Sequence, residues 1–217
     1  SLRRAEIERS AHKRTDVMDA YDCYLRALPL VAAQMPEPAG RAIPLLDRAL
    51  KLDPDYAAAH ALLAWCHELC FARGGFAKAH KSAALHHAGT VLASDTDDGT
   101  ALATAGFVTS LLTEDHDGAL GAIDRGLAIN PSSATVLYLG AQAYALAGGR
   151  DQAMPFADRA LWLSPSDPLA FQAHMALGEA AVLDDRFADA ASCFARAAWA
   201  KPSFSSAHIF QAIALAL

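Results

Sequence analysis

The stretch Ser132–Pro165, SSATVLYLGAQAYALAGGRDQAMPFADRALWLSP, decides the fold. Leu137, Ala141 and Tyr144 recur at helical spacing, and Gly148-Gly149 stops that first helix, since glycine accepts the left-handed backbone that commonly ends helices. A second helix follows at once, with Ala153, Ala157 and Ala160 on one stripe. Ser164-Pro165 closes it, because proline disfavours helical geometry in the residue before it. Small residues at Ala141 and Ala153 let the two helices approach closely. The product is a helical hairpin, and its apolar face needs a neighbour to cover it.

The chain supplies such neighbours by repetition. The residues that close each second helix are Pro54 in KLDP, Thr96 in ASDT, Pro131 in AINP, Pro165 in WLSP and Pro202 in WAKP, at intervals of 42, 35, 34 and 37 residues. Twelve residues before each marker stand Ala42, Ala84, Ala119, Ala153 and Ala190; five before stand Ala49, Val91, Gly126, Ala160 and Ala197. Ten after, with three extra residues following Pro165, come Ala64, Gly106, Ala141, Gly178 and Ala212. Alanine, at 51 of 217 residues, is both the strongest helix former and small enough for close helix contact, so the chain is all-α.

These three small positions and the period of about 34 residues resemble the tetratricopeptide repeat from roughly Tyr21 onward. The resemblance implies a right-handed α-α superhelix of about five repeats plus a final unpaired helix over 203–217. The solenoid spans 15–217, preceded by a charged helical connector over 1–14, with Thr15-Asp16 as a cap for the first helix. Unlike the family pattern, the fourth position of each first helix lacks a large aromatic and carries His60, Leu102, Leu137, His174 and His208. The long second unit predicts a longer helix or loop around Phe76–Ser94.

Chemistry-bearing patterns are sparse. The histidine ladder His60, His174 and His208 would be spaced about 10 Å per step, too far apart for ligands held at ~2.1 Å from one zinc ion, so a packing role is expected. His80 and His87 share one helix face but have no third ligand. Cys66, His67, Glu68 and Cys70 fall short of the H-E-x-x-H zinc motif because Phe71 replaces its second histidine. Asp95, Asp97 and Asp98 lack calcium-loop spacing and suit helix caps. No phosphate-binding loop or nucleophile elbow occurs, and no catalytic residue, metal or cofactor is expected.

A net charge of −6 with no long cationic run argues against a nucleic-acid surface. Four scattered cysteines fit a reducing compartment such as the cytoplasm, and no apolar run reaches membrane-spanning length. What remains is a groove. The resemblance puts the first helix of each hairpin on the concave side, and its register nominates Trp65, Glu68, Phe107, Tyr138, Gln142, Met175 and Glu179 as groove residues for a protein or peptide partner. Trp65 and Phe107 are equally suited to packing between units. Where related domains that clamp acidic tails carry Lys and Asn, this chain has Ala61, Trp65 and Ala103. Ile209, Ile213, Leu215 and Leu217 leave apolar surface on the last helix that further chain or homodimerisation would cover.

A second resemblance is longer-range in its implications. LRRAEIERSAHKRTDVMDAYDCYLRALP (2–29) followed by AIPLLDRALKLDPDYAAAHALLAW (42–65) is similar to the segment that follows the catalytic domain in bacterial class III adenylate or guanylate cyclases. Similar segments follow winged-helix DNA-binding domains in certain regulators. This likeness implies a regulatory module beside a cyclase domain, with the sensor half of a winged-helix regulator or a free-standing adaptor as alternatives.

Overall fold

A computed structural model describes Ile7 and residues 19–217. The remainder of the expected connector and the Thr15-Asp16 cap lie outside the described residues. Among those described, the chain forms eleven helices and no strand: α1 Ala20–Ala32, α2 Pro36–Leu52, α3 Ala57–Arg73, α4 Lys78–Ala93, α5 Gly99–Leu112, α6 His116–Ile129, α7 Ala134–Leu146, α8 Arg150–Leu163, α9 Ala170–Leu183, α10 Phe187–Ala200 and α11 Ser205–Ala216.

Consecutive helices pair as hairpins, and each hairpin stacks on the next. The odd-numbered helices α1, α3, α5, α7 and α9 also touch one another in succession and form an inner layer; the even-numbered helices lie outside. The sequence explains the division. Inner helices such as α5 (GTALATAGFVTSLL) are apolar or small on nearly every side and are buried almost throughout. Outer helices such as α8 bury only Ala153, Ala157 and Ala160 and face solvent elsewhere.

Local chemistry sets the boundaries. Asp19 caps α1 in a reciprocal pair with Asp22, and Asp98, Asp115 and Ser133 cap α5, α6 and α7 by accepting from backbone N–H groups in the first turn. Gly148 ends the α7 turn at φ +76, and the Gly149 N–H donates to the Tyr144 carbonyl at 2.8 Å. In the long second unit the extra residues extend both helices, 17 residues in α3 and 16 in α4 against 14 in α5 and α6. The lengthening is therefore not confined to Phe76–Ser94.

The small positions are the points where helices touch. Ala42, Ala84, Ala119, Ala153 and Ala190 are fully buried. α5 and α6 approach backbone to backbone: a Cβ on Gly126 would lie 2.4 Å from the Gly99 carbonyl oxygen, and one on Gly178 would lie 2.5 Å from the Phe194 ring. Ala212 departs from the pattern and is exposed.

The far ends of the solenoid meet. The Lys201 ammonium donates to the Ala32 carbonyl at 2.8 Å across 169 residues of sequence, and the Arg73 guanidinium lies 4.2 Å above the Phe204 ring. These contacts narrow the inner face.

Candidate functional site

The inner helices line a cavity of about 240 Å³ on this face. Each contributes a short row spaced three or four residues apart, the spacing that keeps side chains on one helix face: Trp65, Glu68 and Ala72 from α3; Phe107 and Leu111 from α5; Gln142 and Leu146 from α7; Gln172, Met175 and Glu179 from α9. Gln34, Phe204 and Phe210 complete the wall from the two ends of the chain.

Six of the seven nominated residues, Trp65, Glu68, Phe107, Gln142, Met175 and Glu179, thus lie together. Tyr138 does not. Its side chain is wholly buried between hairpins and its hydroxyl donates to the Ser164 carbonyl at 2.6 Å, so it braces the α8–α9 turn. Burial, reinforced by Asp167, pushes that hydroxyl up to about 12. Tyr138 precedes Gln142 by one helical turn, and the next hairpin covers that turn. Trp65 and Phe107 serve both anticipated roles, meeting edge to face with centroids 5.8 Å apart while lining the cavity.

The register did not nominate Gln172 or the closing residues. Gln172 shares a face with Met175 and Glu179, so helical spacing alone could have found it. Gln34, Arg73, Phe204 and Phe210 carry no such signal, because their place depends on the ends meeting.

The cavity is unusual electrostatically. Burial pushes the Glu68 carboxyl up to about 7, with Arg73 pulling the other way. Burial does the same to Glu179, also to about 7, opposed by a hydrogen bond in which Gln142 Nε2 donates to Glu179 Oε2 at 2.6 Å. Arg73 is held by donating from Nη1 to the Gln34 carbonyl at 2.9 Å; burial lowers its pKa and Glu68 opposes that. Gln142 Oε1 is buried with no hydrogen-bond partner among the described residues.

A second cavity of about 500 Å³ adjoins the first through Gln34 and Trp65. Its wall is mainly apolar, with Tyr24, Leu28, Val31, Leu62 and Leu169 beside Thr100, Thr104 and Asp167, and Ile7 reaches it too. The two form one continuous concave surface.

The other candidates are structural. His60 and His208 each place Nε2 against the carbonyl of the proline that closes the preceding unit, Pro54 at 3.0 Å and Pro202 at 3.1 Å. In these two units the ladder histidine therefore ties the first helix to the turn before it. The Nδ1 atoms of His67 and His80 pair at 2.8 Å, and those of His60 and His87 at 2.9 Å, bridging α3 and α4. Among the described residues, no group of three or more His, Cys, Asp or Glu is placed to hold a metal ion. Cys66 and Cys70 are buried thiols, and burial raises the pKa of both. No helix among the described residues is long and apolar enough to cross a membrane.

No protein-family model matches the chain, and no curated protein matches it. Solved structures do. TTC0263, a thermophilic TPR protein of Thermus thermophilus, matches 91% of this chain and 100% of its own at 22% identity and a TM-score of 0.63. The fold is a tetratricopeptide-like solenoid. Human IFIT1 with m7Gppp-AAAA matches 94% of this chain at 19% identity and a TM-score of 0.72; this chain spans 47% of its length. YrrB, described as a TPR protein with an unusual peptide-binding site, matches 92% of this chain and 93% of its own at 19% identity and a TM-score of 0.50.

Proposed function

We propose that this chain is a non-catalytic scaffold that binds a segment of another protein, an extended peptide or short helix, along its concave face. The observation that carries this reading is the convergence of side chains from four successive inner helices, aromatic, thioether and polar, on one cavity continuous with a larger apolar one. The peptide-binding site named for YrrB is in keeping with it.

The m7Gppp-AAAA bound by human IFIT1 does not carry over, since two carboxyls and one guanidinium in this cavity disfavour a polyphosphate. Four free cysteines accord with a reducing, cytoplasmic setting. The placement of the module beside a bacterial nucleotide cyclase domain rests on the sequence likeness of residues 2–29 and 42–65; the winged-helix and adaptor settings are the alternatives. The reading frame upstream of Ser1 in the natural gene tests all three.

Selection of randomised decapeptides on the purified chain tests the groove. Leu111 is exposed at the cavity rim, so Leu111→Trp fills the mouth without disturbing the core. The expected result is a peptide pool enriched on the wild type and not on this variant. Equal enrichment on both removes the proposal.

A further inference from the structure

At the Gln142–Glu179 end of the cavity one acceptor, Gln142 Oε1, has no donor among the described residues. The Gln142 amide spends its N–H on Glu179 Oε2, and its own Oε1 stays buried without a partner at the cavity wall. A buried acceptor without a donor is costly and rare, and it asks for one. No described cation lies beside Glu179. Arg73, the one cationic side chain among the described residues that line the cavity, is committed to the Gln34 carbonyl and the Phe204 ring, and its charge acts on Glu68.

The same cavity is lined by Phe107, Met175 and Phe210. Aromatic faces attract cations, and an apolar wall of this kind also accepts the methylene stem of a long basic side chain. The burial that holds Glu179 protonated near neutrality is the cost that a paired cation offsets.

We propose that this end of the cavity is a specificity pocket for a lysine or arginine side chain of the bound peptide. The inference rests on the reading of the concave face as a peptide groove and names the chemistry the groove selects. The partner's ammonium or guanidinium donates to the Glu179 carboxylate and to Gln142 Oε1, while its stem lies against Phe107 and Met175. An acidic or phosphorylated side chain meets Glu179 there and is turned away.

The peptide selection is repeated with Glu179→Gln, which keeps an acceptor for the Gln142 N–H and removes the charge; circular dichroism melts confirm that the variant is folded. On the wild type, selected peptides carry Arg or Lys at one fixed position. In fluorescence anisotropy, replacing that Arg by neutral, isosteric citrulline weakens binding at least tenfold, and Glu179→Gln binds both peptides equally. A selected pool with no fixed basic position, or a variant that still discriminates Arg from citrulline, overturns this inference and leaves the groove reading standing. No pool above the Leu111→Trp background overturns both. Agmatine, titrated by calorimetry in parallel, separates the sources: Glu179-dependent agmatine binding without any peptide pool assigns the pocket to a free amine and refutes the peptide form of the proposal.

Discussion

Replacing Glu179 by Gln should stabilise the free protein above neutral pH and leave it unchanged under mild acid. Folding raises the Glu179 pKa from its ordinary 4.5 to about 7 by burial. Between those pH values the folded chain holds a proton that the unfolded chain has released. Stability is therefore fully present below pH ~4.5 and is lost as pH rises through ~7. At ~1.36 kcal/mol per pH unit the whole displacement amounts to about 3 kcal/mol. Glu179 is partly exposed to a cavity that admits water, so about 1–2 kcal/mol is the working figure. The variant removes this term, and for a chain of this size each 1 kcal/mol moves Tm by about 2–4 °C. Thermal melts followed by circular dichroism at pH 8 should show the variant about 2–8 °C above the wild type, and melts at pH 4 should coincide. A variant that melts lower than the wild type at pH 8, or by the same margin at both pH values, refutes the assignment of a strained buried carboxyl. Stability gained together with affinity lost is the expected signature of a charge kept for binding.

Gly126→Ala forces a Cβ against the Gly99 carbonyl and should cost about 1–3 kcal/mol in a denaturant melt; a neutral substitution breaks the backbone-contact account of α5 and α6. Ala153→Asp puts an unpaired carboxylate at a fully buried helix contact and should cost at least about 3 kcal/mol, so an unchanged melt refutes the repeat register. Lys201→Met removes the bond to the Ala32 carbonyl that closes the solenoid; small-angle scattering should report a larger radius of gyration, and an unchanged curve shows that Arg73 over Phe204 suffices for closure. Ile209, Ile213, Leu215 and Leu217 are all more than 45% exposed on α11, and light scattering should show a concentration-dependent mass that Ile209→Glu reduces; a monomer at every concentration excludes self-association through this face.

The hairpin succession was legible because it is written in local spacing. A small residue every helical turn, a glycine at φ +76 and a proline at four of the five closing turns are consequences of geometry within one unit, and one unit suffices to read them. Ala212 departs from that spacing, keeping the small residue of its repeat position although it is exposed. The helix α1 starts at Ala20 with the Asp19–Asp22 capping box, in which both side chains satisfy backbone donors.

The site divides along the same line. Trp65, Glu68, Phe107, Gln142, Met175 and Glu179 could be placed because a groove on a stacked array repeats with the array, so a register derived from packing also states which side of each helix faces inward. Tyr138 fails that rule because the helix turn it occupies is claimed by the α8–α9 turn, where its hydroxyl supplies a donor to Ser164. Arg73 and Phe204 could not be placed at all, since each acquires its role only when the solenoid curves far enough for its last unit to meet its first. That closure also decides the chemistry. Arg73 is fixed at one end of the cavity, beside Glu68 and Phe204, so the other carboxyl, on Glu179, is left without a cation from the described residues, and that is the place the proposed basic side chain takes.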